Sequence, residues 1–240
     1  MKNLLEETEF DQFTGFHKEC LRLVGEKYIK GKSVLDIGSG FGWFERSCLK
    51  MRVKKVVGLD ISRKSINIAR KTGNKKSEFI TGSAINLPLG SGKFDIVVCW
   101  EVLEHIPENT EGKMFQEIFR VLKPGGYFFL STQHRNFFST VLDPAWWLAG
   151  HRHYAEADVY RFVRRSGFEV KRVYLKGGFF TLIYVLNLYI SKWIFGRGIF
   201  FKEYFNKKTD EEYQKTGGFH SIFLKCVKPI YPKPSKSISQ

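Results

Sequence analysis

Short apolar runs alternate with segments of helical periodicity along most of the chain, from residue 33 onward. Five runs have the length and composition of strands, at residues 33–38, 55–61, 77–82, 94–100 and 126–132. They are continuous apolar stretches, a pattern typical of parallel strands that helices cover on both faces. Between them, residues 62–71 begin with a capping serine, and residues 110–122 carry apolar side chains at helical spacing. This alternation predicts a Rossmann-like, doubly wound α/β sheet.

The last third of the chain has a different texture. Residues 156–168 predict a helix that ends at Gly167, and residues 168–176 and 220–228 alternate like two late strands. We therefore expect seven strands, mostly parallel, with a terminal antiparallel strand. The predicted organisation is a helical cap at 1–30, a core domain at 31–176 and 217–230, an apolar insert at 177–216 and a flexible tail at 231–240. Because the insert is long for a loop, we expect it to have structure of its own.

Composition places the chain among globular proteins, with 43% hydrophobic and 26% charged residues in a length of 240. The first ten residues contain three glutamates and no long apolar run, so we expect no secretory signal. The four cysteines stand singly, at positions 20, 48, 99 and 226, which argues against a disulfide framework or a zinc site. The sequence therefore predicts a cytoplasmic protein without a structural metal.

A glycine-rich turn, DIGSGFG, follows the first predicted strand. Its candidate ligand-binding residues are Asp36, Gly38, Ser39, Gly40 and Gly42. In doubly wound sheets, ligands bind at the carboxyl ends of strands, and glycines there let a ligand approach the backbone N–H groups closely. Asp60 ends the second strand, where an acid can accept hydrogen bonds from both ribose hydroxyls of an adenosine. The spacing lacks the third glycine of a dinucleotide site, since position 43 is tryptophan. We therefore expect a nucleoside-bearing cofactor other than NAD.

Five motifs extend this pattern over roughly residues 30–175. They are VLDIGSGFG, VVGLDIS, GSAINLP, KFDIVVCWEVLEHI and LKPGGY. In their order and spacing they resemble the class I S-adenosylmethionine-dependent methyltransferases. Within that family the sequence is similar to the branch of ubiquinone- and menaquinone-biosynthesis C-methyltransferases and many small-molecule and lipid methyltransferases. The resemblance implies S-adenosyl-L-methionine as the cofactor and methyl transfer as the reaction.

The resemblance also implies roles for the matching residues. Asp36, Gly38, Ser39 and Gly40 would line the methionine end of the cofactor, with Gly42 in the same turn. Asp60 would bind the ribose, and Ile61 would lie against the adenine. Ser83 and Ala84 would lie beside the adenine edge, although the family usually has an acid where Ser83 stands. Trp100 and Glu101 would close the pocket after the fourth strand.

Methyl transfer is an in-line displacement that depends mainly on alignment, and it needs a base only if a proton must leave the acceptor. The candidate catalytic residues are His151, His153, His105 and Glu101. His105 follows the fourth strand, where it could instead only fix the turn before Pro107. His151 and His153 precede a helix expected to roof the site, and capping or surface roles are their alternatives. Arg152 between them could pair with an anionic substrate group or be solvated.

The insert distinguishes this chain from a minimal methyltransferase. Residues 179–191 carry no charge, and Lys192 and Arg197 follow. A spanning helix needs about 20 apolar residues, whereas 10–14 suit an interfacial or core-covering helix. Three alternatives are open: peripheral membrane contact through 178–202 at the inner membrane face, a lid or dimer face over an apolar substrate, and a true span. The first two indicate an apolar acceptor, such as a lipid, polyprenoid or quinone-type molecule.

The net charge of +15 also allows a nucleic-acid substrate. Nucleic acid is disfavoured, because basic residues interleaved with a long apolar run make a poor phosphate track. RNA or DNA methylation is therefore the weaker alternative, together with a membrane-associated module that kept the fold and lost the chemistry. The sequence leaves the oligomeric state and the choice between O-, C- and N-methylation open.

Overall fold

The structure is a computed structural model that describes residues 14–196 and 198–230. The predicted tail at 231–240 and the first part of the predicted helical cap, residues 1–13, lie outside the described residues.

Among the described residues, seven strands form one sheet in the order β3-β2-β1-β4-β5-β7-β6. The strands are β1 (Ser33–Ile37), β2 (Lys55–Asp60), β3 (Ser77–Thr81), β4 (Phe94–Trp100), β5 (Leu122–Gln133), β6 (Glu169–Lys176) and β7 (Ser221–Val227). The first five strands are parallel, and β7 runs antiparallel to both β5 and β6. The predicted fold class and all seven predicted strands are therefore confirmed. β5 begins four residues earlier than predicted, because the preceding helix continues directly into it.

Ten helices are found within the described residues. They are α1 (Gly15–Val24), α2 (Glu26–Ile29), α3 (Trp43–Lys50), α4 (Arg63–Arg70), α5 (Glu111–Val121), α6 (Phe137–Val141), α7 (Pro144–Ala149), α8 (Glu156–Arg165), α9 (Phe179–Trp193) and α10 (Lys202–Gln214). The predicted cap of α4 is present, since the Ser62 hydroxyl accepts a hydrogen bond from the Ser65 N–H at 3.2 Å. Gly167 follows α8 with φ of 92°, as a helix-ending glycine should.

The sheet separates two apolar layers. On one face, α5 and α8 pack against alternate residues of the central strands, with Met114, Phe115 and Val163 fully buried. On the other face, α1 and α3 pack with Cys20 and Phe44 fully buried. Because helices cover both faces, the central strands are largely apolar, and their carboxyl ends lead into the loops where ligands bind in such folds.

The segment predicted as an insert contains two helices, α9 and α10. The Glu212 carboxylate of α10 accepts hydrogen bonds from the N–H groups of Gly178, Phe180 and Thr181, which lie at the start of α9. α10 packs closely on α1, where a Cβ on Gly15 would lie 2.7 Å from the Thr209 carbonyl oxygen. Lys18 and Asp210 form an ion pair across the same contact. Over the part of the chain that is described, no helix is both long and apolar enough to cross a bilayer.

Candidate active site

The turn between β1 and α3 is held by hydrogen bonds to the end of β2. The N–H groups of Gly38 and Ser39 donate to the Leu59 carbonyl at 2.7 and 3.0 Å, and the Gly40 N–H donates to Asp60 Oδ2 at 2.9 Å. These hydrogen bonds fix the turn against the neighbouring strand and engage three of the backbone N–H groups that the sequence suggested for ligand contact.

Two glycines of the turn are required by space and backbone geometry. Gly38 has φ of 79°, and a Cβ there would lie 2.2 Å from a methyl group of Val102. Gly42 has φ of 78° and precedes α3, where a Cβ would lie 3.1 Å from the Phe79 ring. The glycines therefore allow the turn to pack tightly between β3 and the loop after β4.

Buried polar atoms without a protein partner gather at the carboxyl ends of β1 and β4. They are Asp36 Oδ1 and Oδ2, Ser39 Oγ, Trp100 Nε1 and Glu101 Oε1. Such atoms are rare in folded proteins, because each costs about 1–3 kcal/mol when unpaired. The set contains carboxylates suited to an ammonium group and donors suited to a carboxylate. It therefore fits the amino-acid end of the cofactor implied by the sequence.

Asp60 lies at the end of β2, one strand away from Asp36. Its carboxylate accepts hydrogen bonds from the N–H groups of Gly40 and Ser62 at 2.9 and 2.8 Å. A carboxylate has about four acceptor positions, so about two are left for ribose hydroxyls. Ile61, the next residue, is 78% exposed, which leaves its side chain free to lie against a planar ring.

Ser83 and Ala84 follow β3, at the same edge of the sheet. The Gly82 N–H donates to the Asp60 carbonyl at 3.0 Å, which brings this loop beside the end of β2. The Ser83 hydroxyl accepts a long hydrogen bond of 3.4 Å from the Ile85 N–H, and Ala84 is 9% exposed. The structure thus brings the predicted adenine-side residues to one edge, next to the predicted ribose-binding acid.

Glu45 on α3 was not predicted from the sequence, yet it is fully buried beside Asp36. Burial and the neighbouring carboxylates raise the pKa of Asp36, and burial raises the pKa of Glu45 to about 8. The two carboxyl groups lie beside each other, so ionising both would place two buried negative charges next to one another, which favours retention of a proton. Gly58, in the interior of β2, was the sequence signal for this contact, because a glycine within a strand often marks a close approach.

A second acidic pair follows β4. Glu101 has φ of 50°, a strained conformation for this residue type, and its Oε2 accepts a hydrogen bond from Gln133 at 3.0 Å. Glu104 is buried and accepts a hydrogen bond from Thr132 at 2.9 Å. Burial raises the pKa of both carboxyls. Glu101 therefore reaches the site from a backbone position that costs energy to hold.

The three predicted histidines form one cluster above β4. The rings of His105 and His151 meet edge to face with centroids 4.4 Å apart. His153 is enclosed, with Nε2 3.0 Å from Asp143 Oδ2 and Nδ1 3.4 Å from Thr140 Oγ1. His151 Nδ1 lies 3.9 Å from the same Asp143 oxygen, and burial lowers the pKa of His151. Sequence reasoning missed Asp143, which orients this cluster from the N-terminus of α7.

Arg152 has a different role from either sequence-based expectation. Its guanidinium pairs with Glu111 and donates to the carbonyls of Leu103, at 3.1 Å, and Ile106. The Tyr154 hydroxyl lies 3.1 Å from both the Leu103 carbonyl and Glu111 Oε1. The expectations of a substrate-binding or solvated arginine are therefore wrong. Arg152 and Tyr154 hold the loop after β4 against α5.

Residues 35–130 match the methyltransferase domain family. This segment is a class I methyltransferase domain. The match begins within β1 and ends within β5, so it contains the glycine turn, Asp60 and the loop after β4. The family and the fold predicted from the sequence are confirmed.

The curated relatives of the methyltransferase domain include a protein of Azoarcus sp. (strain BH72) named ubiquinone biosynthesis O-methyltransferase. It is 34% identical over 113 residues, which are 45% of this chain and 47% of that protein. The chain thus matches about half the length of this relative. The remaining part of the chain is not covered by that similarity.

Solved structures show the same fold over most of the chain. An S-adenosylmethionine-dependent methyltransferase from Mesorhizobium loti covers 89% of this chain and 97% of its own, with a TM-score of 0.62 and 19% identity. Haemonchus contortus phosphoethanolamine N-methyltransferase 2, in complex with S-adenosyl-L-methionine, covers 91% of this chain and 54% of its own, with a TM-score of 0.66 and 19% identity. At these identities the likeness shows the fold alone.

Proposed function

We propose that the chain is an S-adenosylmethionine-dependent methyltransferase whose acceptor is a small, apolar molecule with a hydroxyl group. The observation that carries the proposal is the set of unpaired buried polar atoms at the ends of β1 and β4, inside the matched methyltransferase domain. The names of the curated relatives, ubiquinone biosynthesis O-methyltransferases, support oxygen as the accepting atom.

Residues at the carboxyl ends of β1, β2 and β4 would bind the polar groups of the cofactor. Asp36 and Glu101 would accept hydrogen bonds from its ammonium group, and Ser39 and Trp100 would donate to its carboxylate. Asp60 would accept hydrogen bonds from the ribose hydroxyls with the lone pairs not used by Gly40 and Ser62. When bound, S-adenosylmethionine supplies an electrophilic methyl group. The protein's task is then to hold the acceptor oxygen in line with that group.

His151 is the general base in this proposal. Its pKa is lowered by burial, so the imidazole is neutral at pH 7 and can accept a proton from an acceptor hydroxyl. Asp143 lies 3.9 Å from Nδ1, on the side that would orient the ring. His153 is less suited, because Asp143 and Thr140 engage both of its ring nitrogens. In this proposal His153 fixes Asp143 in place.

Calorimetric titration with S-adenosylmethionine tests the cofactor assignment. Asp60→Asn removes one charge and keeps the size of the side chain, so binding should weaken by about tenfold or more, as expected for lost charge-assisted hydrogen bonds. Glu78→Asn is the control. Glu78 lies on the neighbouring strand β3, its side chain is half-exposed, and it forms an ion pair with Lys55. No binding to the wild-type chain at millimolar concentration would contradict the proposal and favour the non-catalytic alternative. Equal affinities of wild type and Asp60→Asn would remove Asp60 from the site.

The base assignment is tested with a phenolic acceptor that carries an apolar tail. His151→Asn should lower kcat by about 10²-fold or more and leave cofactor affinity unchanged, because general-base catalysis contributes about 10²–10⁴-fold. His153→Asn is the comparison within the same cluster and should act through stability. A His151→Asn enzyme with unchanged kcat and pH profile would show that the acceptor needs no base from this residue.

We also propose that α9 and the following loop contact an anionic membrane surface, at the inner membrane face. Only Thr181, Leu182 and Ser191 of this 15-residue apolar helix are buried. Beyond it, Ile194, Phe195 and Phe201 are 71%, 58% and 79% exposed. Exposed aromatic and aliphatic side chains beside lysines are typical of interfacial helices, and the chain carries a net charge of +15 that favours an anionic leaflet.

Liposome flotation tests the membrane contact. The wild-type chain should float with vesicles that contain phosphatidylglycerol, and the double variant Ile194→Asp/Phe195→Asp should not. Tyr160→Asp is the matched control, since Tyr160 is an exposed aromatic residue on α8, outside the insert. Equal flotation of the double variant and the wild type would refute the contact. If the double variant floats equally but loses activity on a dissolved acceptor, α9 acts as a lid.

A further inference from the structure

Glu45 is fully buried beside Asp36, and the function proposed above gives it no role. Asp36 and Gly58 are paired residues in the register of β1 and β2, so their side-chain positions are adjacent on one face of the sheet. The Oε1 atom of Glu45 fills the place that a side chain at position 58 would take, 2.3 Å from an ideal Cβ. Glu45 reaches that place from α3. The missing side chain at Gly58 thus makes room for a second carboxyl group beside Asp36.

Neither carboxyl group has a donor from elsewhere in the part of the chain described. All four oxygens of Asp36 and Glu45 are buried, and none accepts a hydrogen bond from another residue that carries a fixed proton. Two buried carboxylates in contact repel each other, so the stable arrangement holds a proton between them. The geometry therefore favours a carboxylic acid at the carboxyl end of β1.

The surrounding titratable groups come from four elements. They are Asp60 on β2, Arg46 and Cys48 on α3, Cys20 on α1, and Cys99 on β4. The three thiols are neutral, since burial raises the pKa of each. The Arg46 guanidinium donates to the Phe41 carbonyl at 2.8 Å, and its charge acts on Glu45 from a distance. Asp60 adds negative charge, which strengthens the retention of the proton.

We propose that Glu45 is a positioning residue that shares a proton with Asp36 and releases it to solvent when the cationic amino-acid end of the cofactor binds. This inference rests on the proposed function. A ligand ammonium beside Asp36 supplies the donors that the shared proton supplied before, and its charge stabilises the doubly ionised pair. The released proton goes to the buffer, and no bond other than that O–H bond is broken. Cofactor affinity is then coupled to pH through a residue that need not touch the cofactor.

Titration calorimetry of the wild-type chain with S-adenosylmethionine, in buffers of different ionisation enthalpy, measures the protons released. The measurement is made at pH 6.5, where the ligand's own α-amino group, with a pKa of about 8, is protonated. We expect release of about 0.5–1 proton, with an affinity that rises up to about tenfold per pH unit between pH 6 and 7 by linkage. Glu45→Gln should release fewer than about 0.2 protons and lose the pH dependence, because its amide is a permanent donor to Asp36.

Two comparisons keep the outcomes separate. Glu78→Gln, an exposed acid on β3, should behave like the wild type. Infrared difference spectroscopy of the wild-type chain should show the loss of a carboxylic-acid C=O band when the cofactor binds, and this readout does not depend on folding of the variant. Binding without proton release and without loss of that band would overturn the inference alone. An absence of binding would overturn the proposed function and this inference with it.

Discussion

Replacing Glu45 with glutamine should change how the stability of the protein depends on pH. Burial raises the pKa of Glu45 from its ordinary 4.5 to about 8 in the folded protein. Between these two values the folded protein keeps a proton that the unfolded chain has lost, so stability falls as the pH rises through this window. One proton contributes about 1.4 kcal/mol per pH unit, which amounts to a penalty of about 1 kcal/mol at pH 5 and about 3 kcal/mol at pH 7.

Glu45→Gln removes this titration and keeps the shape of the side chain. Its amide donates a hydrogen bond to Asp36, so the remaining carboxylate stays satisfied. Urea unfolding of both proteins at pH 5, 6 and 7 measures the effect. The free energy of unfolding of the variant, relative to wild type, should increase by about 2 kcal/mol from pH 5 to pH 7.

The sign of this change is the decisive feature. Glu78→Gln, at a half-exposed position, should give a difference from wild type that is nearly constant with pH. If the wild-type and Glu45→Gln curves run parallel over this range, Glu45 is ionised in the folded protein. The shared proton would then be refuted, whatever the absolute stability of the variant.

Three further substitutions test the geometry of the site and the core. Gly38→Ala should lower the free energy of unfolding by about 2–4 kcal/mol in urea, since it adds a steric clash to a positive φ. Gly31→Ala is the control, because Gly31 has φ of 71° and open space around it, and it should cost about 1 kcal/mol. Equal losses of stability in the two variants would contradict the packing of Gly38 against Val102. Arg152→Gln should lower stability by about 2–4 kcal/mol because it leaves an acid and two carbonyls without their donor, and a loss of cofactor affinity without a loss of stability would argue for a binding role. His220 is buried, and burial lowers its pKa to about 4, so the stability of the wild type should fall as the pH drops from 6.5 to 4. In the same assay His220→Asn should reduce this loss of stability at low pH.

The sequence by itself determined the number of strands, their succession along the chain, the fold class and the place of the glycine turn after the first strand. Continuous apolar runs and helical spacing are local properties, and a glycine turn after the first strand has one place in a doubly wound sheet. The same holds for Asp60, since the end of the second strand must lie beside that turn. The insert was recognisable in the sequence because residues 179–191 carry no charge, which is unusual for an exposed loop of that length.

Tertiary structure decided which side chains meet. The contact between Glu45 and Asp36 depends on the register of β1 with β2 and on the angle at which α3 crosses them. Neither can be predicted from the local periodicity of the sequence. Arg152 forms an ion pair with Glu111, 41 residues away in the sequence, and so stabilises the loop after β4 instead of binding an anion. The amides of the glycine turn likewise found partners on β2. Each of these contacts follows from long-range packing, because a buried charge or hydrogen-bond donor pairs with whichever group the folded chain places beside it.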